Sequence, residues 1–192
     1  MDQTVETVDR DIGFRVKTLR TAAALTLGEL AERSGVSRAM LSRIERGESS
    51  PTAQLLSRVC AGLGVTLSSL FATAETASPL SRRSAQSVWR DPASGYVRRV
   101  VSPPGAGSPA EMIEVEFPAG AAIAFESQQL ATANQHVWVL DGSMDITIGN
   151  DTCRLDEGDC LYMRLDQPIG FRNPADRPAR YLVVIAHGRG GR

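Results

Sequence analysis

Apolar residues recur every three or four positions through the first third of the chain, which is the spacing of short amphipathic helices. The stripe of the first predicted helix is made of Ile12, Val16 and Leu19. Further stripes, each bounded by residues that start or stop helices, follow as far as a last short helix that would hold Leu67, Leu70 and Phe71. We therefore predict five short helices in a domain over residues 9–72, preceded by a flexible N-terminus over residues 1–8.

The second and third of these helices have the clearest boundary signals. Thr26 and Glu29 have the spacing of a capping box, in which the threonine side chain caps a backbone N–H and the glutamate reaches back. Gly35 suits the left-handed position at which the second helix ends, and Ser37 can cap the third. The pattern predicts two helices that are separated by a tight turn.

The second half of the chain has a different rhythm. Six short β-rich runs, separated by turn residues, lie at positions 96–101, 111–117, 136–140, 144–148, 160–164 and 180–186. Regularly spaced short strands predict a sandwich or a barrel, which we place at residues 88–187, with a tail at 188–192. Residues 73–87 have no periodic apolar face and are predicted to be a linker, so the fold class is a multidomain α + β protein.

Residues 25–47 have the composition that a helix-turn-helix motif requires. The motif needs a small residue where its helices touch, a glycine in the turn and apolar residues that lock the second helix, and these are Ala31, Gly35, Leu41 and Ile44. The segment closely resembles the phage-repressor/Cro-type (xenobiotic response element) helix-turn-helix family, and the resemblance extends over about residues 11–71. It implies a lambda-repressor-like fold of five helices that binds double-stranded DNA.

The resemblance makes residues 37–46 the recognition helix, which enters the major groove. The residues that it implies for DNA contact are Thr26, Ser37, Arg38, Ala39, Ser42, Arg43 and Arg46. An arginine can donate two hydrogen bonds to guanine, and Ala39 can touch a thymine methyl group. Thr26 and Arg46 would hold phosphates. Leu27 departs from the family, which often has a phosphate-binding glutamine there, and Arg20 and Glu45 occupy positions that often pair.

Three later segments, 137–142, 155–159 and 171–174, resemble the cupin fold, a double-stranded β-helix barrel. Metal-binding cupins carry a His-x-His pair and a Glu before the glycine that is Gly142 here, and one more His further on. The corresponding positions are Gln135 for the Glu, Ile169 for the last His, and either Gln128 and Leu130 or Gln129 and Ala131 for the pair. None of these side chains is a good metal ligand, so we expect no metal and no cofactor.

The same resemblance predicts a pocket at the mouth of the barrel. If Gln135 and Ile169 keep the family's inward direction, strand alternation adds further residues, and the predicted lining is Gln135, Val137, Met144, Tyr162, Ile169 and Phe171. His136 should then face away from Gln135. Such a pocket suits a small organic effector with a polar group. The alternative is a barrel that is filled by its own side chains and serves only dimerisation.

Charge and composition refine this prediction. Residues 1–72 carry nine Lys and Arg against eight Asp and Glu, whereas residues 101–192 carry seven against twelve, so the helical half has the more positive balance. No apolar run approaches the roughly 20 residues of a membrane span. The acidic, polar N-terminus is unlike a secretory signal, and we expect a cytoplasmic protein that does not engage a membrane.

The predicted function is sequence-specific DNA binding by a homodimer on a pseudo-palindromic operator, modulated by an unidentified small molecule in a metal-free barrel. A metal-dependent enzyme resembling the hydroxypropylphosphonate epoxidases is one alternative. It would need the missing metal ligands, and no Ser/His/Asp or Cys/His set is apparent, so we do not expect an enzyme. An antitoxin-like repressor is another alternative, although a cupin domain is not expected there.

Overall fold

The chain divides into two compact units, Met1–Phe71 and Ala72–Arg192. A computed structural model describes residues 3–71, 78–103, 108–127 and 133–187. The first unit is helical and the second is built of β-strands, as the change in apolar spacing predicts. No helix in the described part of the chain is long and apolar enough to cross a membrane.

Within its described residues the helical unit contains four α-helices, which are α1 (Gln3–Ala22), α2 (Leu27–Ser34), α3 (Arg38–Glu45) and α4 (Ala53–Leu63). A 3-10 turn at Leu67–Leu70 follows α4. The prediction of a fifth helix is therefore wrong, because this stretch of four residues forms only a tight 3-10 turn. Helix α1 begins at Gln3, so helical structure reaches into the segment 1–8 for which the sequence predicts a flexible N-terminus.

The four helices pack through the apolar stripes that predict them. Side chains that are at most 1% exposed come from every helix, and they include Ile12, Val16, Leu30, Leu41, Ile44, Leu56 and Val59. Each such side chain contributes about 1.5–3 kcal/mol relative to an exposed one. A small residue permits the close crossing of α2 and α4, since a Cβ on Gly62 would lie 3.0 Å from the Cβ of Ser34.

The second unit contains ten strands within its described residues, which are β1 (Val88–Arg90), β2 (Val97–Val100), β3 (Ala110–Phe117), β4 (Ala122–Phe125), β5 (Ala133–Asp141), β6 (Ser143–Ile148), β7 (Asp151–Asp156), β8 (Cys160–Arg164), β9 (Ile169–Arg172) and β10 (Ala179–His187). One sheet has the order β1-β2-β3-β10-β5-β8 and the other has the order β4-β9-β6-β7. Neighbouring strands are antiparallel. Buried residues such as Ile113 and Val137 come from one sheet and Ile146 comes from the other, so both sheets contribute apolar side chains to the core.

All six predicted strands are present, with ends that shift by up to three residues. Four further strands have no clear sequence signal. Strands β1, β4 and β9 have only three or four residues, and β7 is exposed at five of its six positions. Because alternation needs several residues and one buried face to be visible, pattern alone misses such strands.

The predicted linker at 73–87 differs from the structure at its C-terminal end. Residues 72–77 lie outside the described residues. Beyond them, Arg83–Ala85 forms a 3-10 turn, the Arg83 guanidinium lies 3.1 Å from the carboxylate of Glu114 on β3, and the Ser87 carbonyl accepts from Val100 N at 3.0 Å. This end of the segment therefore belongs to the β unit.

Candidate DNA interface and barrel interior

The helix-turn-helix segment has the boundaries that the sequence predicts. Thr26 Oγ1 accepts from Glu29 N at 3.1 Å, while the Glu29 carboxylate accepts from Thr26 N at 2.7 Å. Gly35 has φ of +62°, which lies in the left-handed region that glycine tolerates. Ser37 Oγ accepts from Met40 N at 3.3 Å and starts α3. The predicted capping box, glycine stop and serine cap are confirmed.

Helix α3 is held from behind by buried side chains and by a close backbone approach. Leu41 and Ile44 are 0% and 1% exposed. Gly13 of α1 lies directly against α3, because an added Cβ there would overlap the Ile44 carbonyl oxygen and would lie 3.2 Å from Gly47 N. The position of the recognition helix therefore depends on a glycine in the first helix.

A part-buried ion pair ties α1 to the end of α3. Arg20 Nε and Nη2 donate to the two carboxylate oxygens of Glu45 at 2.6 and 2.9 Å, and Arg20 Nη1 donates to the Leu25 carbonyl at 2.8 Å. The two charged side chains are only 15% and 7% exposed. The hydrogen bond to Glu45 raises the pKa of Arg20. The expected Arg20–Glu45 pair is present, and its bidentate geometry suits a rigid structural contact.

The opposite face of α3 lies at the surface. Arg38, Ala39 and Arg43 are exposed, Ser42 is half-buried, and Ser37 is exposed at the N-cap. The helix thus separates its apolar side chains from a face with two guanidinium groups and two hydroxyl groups. These are the chemical groups that contact base edges and phosphates.

Arg46, which follows α3, is engaged by neighbouring side chains. Its Nε and Nη2 donate to the Glu48 carboxylate at 2.7 Å each, and its Nη1 donates to Ser42 Oγ at 2.6 Å. The hydrogen bond from Arg46 lowers the pKa of Glu48. Arg43 Nη2 also donates to the Glu48 carbonyl at 3.4 Å. Arg46 would therefore have to exchange Glu48 for a phosphate in order to bind DNA.

Thr26 is likewise committed within the protein. Its hydroxyl donates to Glu29 Oε2 at 2.8 Å, so the proton that would bind a phosphate is used by the capping box. Leu27, beside it, is half-buried. A phosphate contact by the Thr26 side chain would require Glu29 to release this proton.

A buried carboxylate fixes the loop after α3 and has no clear sequence signal. Asp9 of α1 is 7% exposed and accepts a hydrogen bond from Ser50 Oγ. Burial raises the pKa of Asp9, and the hydrogen bond from Ser50 acts in the opposite direction. Gly47 has φ of +67°, and a Cβ there would lie 2.8 Å from Arg10 Cγ. The loop is thus held against α1.

Five of the six predicted pocket residues are buried in the barrel, each at most 8% exposed: Gln135, Val137, Met144, Ile169 and Phe171. The prediction for Tyr162 is wrong. Tyr162 is 52% exposed, and its hydroxyl donates to Asn134 Oδ1 at 3.1 Å. Alternation along β8 turns the neighbouring Met163 inward instead, where it is paired in register with Gln135.

The position that corresponds to the metal-binding glutamate holds an amide. Gln135 Nε2 lies 3.9 Å from Met163 Sδ, a weak acceptor. His136 is exposed on the outer face, with its ring centroid 5.2 Å from that of Tyr162, as alternation predicts. Among the described residues no group of three or more His, Cys, Asp and Glu could hold a metal ion. Residues 128–131, where the His-x-His pair would fall, lie outside them.

Sequence reasoning missed a polar set inside the barrel. Arg98 of β2 is 7% exposed, and Tyr96 and Tyr181 are each 4% exposed. Arg98 is paired in register with two buried residues, Trp89 and Val115. A signal did exist, because Arg98 and Arg99 are adjacent in a predicted strand and alternation must turn one of them inward.

Comparison with known proteins relates both units to regulators. A family model for the helix-turn-helix matches residues 16–70, and one for the cupin domain matches residues 113–185. The HTH-type transcriptional regulator SutR of Escherichia coli (strain K12) is 28% identical over 185 residues, which cover 96% of this chain and 99% of that protein. The HTH-type transcriptional regulator SinR of Bacillus subtilis (strain 168) is 42% identical over 61 residues, which cover 31% of this chain and 55% of that protein.

A solved structure extends the comparison to the arrangement of the elements. The crystal structure of an HTH_3 family transcriptional regulator from Vibrio cholerae aligns with a TM-score of 0.79 and 26% sequence identity. The alignment covers 96% of this chain and 99% of that one. The likeness therefore includes both the helical unit and the β unit.

Proposed function

We propose that this chain, which belongs to the helix-turn-helix transcription regulators with a C-terminal cupin domain, binds a pseudo-palindromic operator as a homodimer. In this proposal the affinity for DNA depends on a small molecule in the barrel. The observation that carries the DNA-binding part is the two-sided character of α3. Leu41 and Ile44 are buried against the rest of the unit, whereas Arg38 and Arg43 are exposed on the other side.

Each residue of the exposed face has a role in this proposal. Arg38 and Arg43 donate hydrogen bonds to guanine O6 and N7, and Ala39 contacts a thymine methyl group. Ser37 and Ser42 retain a hydroxyl proton for a base edge or a phosphate, because both accept hydrogen bonds within the protein. Arg46 and Thr26 bind phosphates after they release Glu48 and Glu29, and these contacts position α3 without reading the sequence.

The test of this interface is the substitution Arg43→Ala. Its control is Arg164→Ala, which removes the same charge from an exposed position on β8 of the barrel. Affinity is measured by fluorescence anisotropy on a duplex selected from random sequences. We expect Arg43→Ala to weaken binding by about 1–3 kcal/mol and to relax one base position, with Arg164→Ala near wild type. Equal affinity and equal base preference for all three proteins would contradict the proposal.

Dimerisation follows from the small number of bases that one recognition helix can reach. Two copies of α3 on half-sites about 34–36 Å apart would double the contacts. The outer face of the six-stranded sheet supports a dimer through the β unit. Met112, Trp138 and Tyr162 are 39%, 46% and 52% exposed there. Met112, Val184, His136 and Tyr162 lie side by side on four adjacent strands, which makes a row of uncharged aliphatic and ring side chains of the kind that interfaces bury.

The dimer is tested by Trp138→Glu, which places a charge beside this row, two residues from His136 on the same face of β5. Phe14→Glu is the matched control, because Phe14 is 71% exposed on α1 of the helical unit. Light scattering after size-exclusion chromatography should give a dimer for the wild type and for Phe14→Glu, and a monomer for Trp138→Glu. The reverse pattern would place the interface on the helical unit.

The barrel serves in this proposal as a sensor without a metal and without catalysis. Gln135 offers an amide among apolar neighbours, and Ile185 and Met163 are its partners in register. Such an amide can orient a small molecule through hydrogen bonds without activating it. Elemental analysis of the purified chain tests this part, since iron or manganese bound in a one-to-one ratio would favour a metal-dependent enzyme instead.

A further inference from the structure

Helices α2 and α4 end in different ways, although each is followed by a glycine in the left-handed region. At the end of α4, Val65 N donates to the Cys60 carbonyl at 3.0 Å, so a backbone hydrogen bond closes the turn. At the end of α2, the corresponding Val36 N donates to Ser34 Oγ at 3.3 Å. The turn that joins α2 to α3 is therefore held by side chains.

Arg58 of α4 binds the last carbonyl groups of this turn. Its Nε donates to the Ser34 carbonyl at 3.2 Å, and its Nη2 donates to the Gly35 carbonyl. Carbonyl groups at the C-terminal end of a helix carry partial negative charge, so a guanidinium is a favourable partner and its hydrogen bonds are stronger than those of a neutral donor. Arg58 thus stabilises the end of α2 from a different helix.

The same face of α4 approaches the turn closely through a glycine. Gly62 follows Arg58 by four residues, so the two residues lie on one side of α4. A Cβ on Gly62 would lie 3.1 Å from Ser34 N, and a Cβ on Gly35 would lie 2.7 Å from Arg58 Nη2. The guanidinium and the backbone of the turn are in direct contact, so the turn has little room to shift.

This turn determines where α3 begins. Only residues 35–37 separate α2 from α3, and the middle one, Val36, is 4% exposed. The other end of α3 is held by α1, through the close approach of Gly13 and the ion pair of Glu45. The two ends of the recognition helix therefore have separate supports, and α4 supports the end at which α3 starts.

We propose that Arg58 is a positioning residue for base recognition, which acts by fixing the start of α3 and does not itself contact DNA. The proposal rests on the proposed role of α3 in the major groove. Arg38 and Ala39 lie in the first turn of α3, beside the turn that Arg58 binds, whereas Arg43 lies near the end that α1 holds. Loss of Arg58 should therefore disturb the base contacts of Arg38 and Ala39 more than those of Arg43.

The test compares Arg58→Met, which keeps an unbranched side chain but removes the charge and the hydrogen bonds, with Arg33→Met. Arg33 is an exposed arginine in the last turn of α2, so its substitution removes the same charge from the same end of the helix. Affinity of the full chain is measured by fluorescence anisotropy for a duplex selected from random sequences and for a scrambled duplex. We expect Arg58→Met to bind the selected duplex about 5- to 20-fold more weakly, with equal affinities of Arg58→Met and Arg33→Met for the scrambled duplex.

Duplexes with single base-pair changes give a readout that a purely structural role would not move. Arg58→Met should lose preference at the base pairs that Arg38→Ala affects and keep it at those that Arg43→Ala affects. Arg58→Lys retains a cation but not the forked donor group, so its profile should lie between those of Arg58→Met and the wild type.

The dependence of affinity on salt distinguishes positioning from a phosphate contact. The slope of log affinity against log salt should be the same for Arg58→Met and Arg33→Met. A slope that is smaller by about 0.9 in Arg58→Met, with both duplexes weakened alike, would make Arg58 a phosphate ligand and overturn the inference.

Circular dichroism at 222 nm shows whether each variant keeps its helices. If Arg58→Met does not fold, Arg58→Lys carries the test alone, and a wild-type base preference in that variant would assign Arg58 to stability only and overturn the inference. A folded Arg58→Met protein with the wild-type preference, or with equal losses at the base pairs of Arg38 and Arg43, would also overturn it.

The same measurements separate this inference from the proposed function. Wild-type protein that has no sequence preference for DNA would refute the proposed function. Base-specific losses in Arg38→Ala and Arg43→Ala, without any in Arg58→Met, would uphold that function and refute only the role of Arg58.

Discussion

The contact between Gly13 and α3 can be tested by replacing Gly13 with alanine. Packing against α3 predicts that this substitution destabilises the helical unit, whereas helix propensity alone predicts that it stabilises it. Replacing a glycine inside a helix by alanine ordinarily stabilises the helix by about 1 kcal/mol. At Gly13, however, the new Cβ would fall well inside the roughly 3.3 Å at which a carbon and a carbonyl oxygen make contact. The obstructing atom is the Ile44 backbone oxygen, which cannot rotate away, so α1 and α3 must separate by about 1 Å.

Overpacking of this kind costs about 1–3 kcal/mol and more where backbone must move. Because backbone must move here, the cost lies at the upper end, about 3 kcal/mol, and the propensity gain of about 1 kcal/mol leaves an expected destabilisation of the helical unit by about 2 kcal/mol in Gly13→Ala. Gly28→Ala is the matched control, because a Cβ there would meet Thr26 Oγ1 at an ordinary 3.7 Å. That variant should be neutral or slightly stabilised.

Urea unfolding of the full chain distinguishes the two units. Circular dichroism at 222 nm reports mainly on the helices, whereas both tryptophans, Trp89 and Trp138, lie in the β unit. Gly13→Ala should lower the midpoint of the dichroism transition and leave the fluorescence transition unchanged. A Gly13→Ala protein at least as stable as Gly28→Ala would refute the close approach of α1 to α3.

Three further predictions concern charged groups of the helical unit. Arg20→Met leaves the part-buried Glu45 carboxylate without its partner, so the free energy of unfolding, measured by urea unfolding followed by dichroism, should fall by about 1–3 kcal/mol. An unchanged midpoint would mean that the pair is only a surface contact. Burial raises the pKa of Asp9, so the folded state favours the protonated carboxyl group. This adds to the stability of the folded protein at pH values below the ordinary pKa of Asp, and the added stability is lost as the pH rises through the raised pKa. Thermal melts at a series of pH values should show this loss in the wild type and a flatter profile in Asp9→Asn. Glu48→Gln frees Arg46 and removes a negative charge beside α3, so affinity for DNA at low salt should rise about two- to fivefold, and an unchanged or weaker affinity would exclude Arg46 as a phosphate ligand.

The helix-turn-helix was predictable from sequence because its signals are local. The capping box at Thr26, the left-handed Gly35 and the cap at Ser37 each depend on a few adjacent residues, and each is present in the structure. The role of Gly13 was not predictable in the same way. From sequence alone, a glycine inside a helix indicates only low helix propensity. Its role becomes visible in the structure, where the crossing with α3 places a carbonyl oxygen against it.

The barrel was predictable in outline but less so in detail. Alternation along β5 turned Gln135 inward and His136 outward, as predicted, because its flanking residues are apolar on one face. The direction of Tyr162 had no such support and was assigned wrongly, since Met163 is the inward residue of β8. Arg98 was overlooked because a charged residue suggests a surface position unless its neighbour on the strand is considered.

The most direct test of the central claim is selection of duplexes from a random library by the wild-type chain and by Arg43→Ala. The wild type should enrich an inverted repeat with half-site centres about 10 base pairs apart, and the variant should lose preference at one position in each half-site. Enrichment of no motif by the wild type, or of an identical motif by both proteins, would contradict the claim that the exposed face of α3 reads base edges.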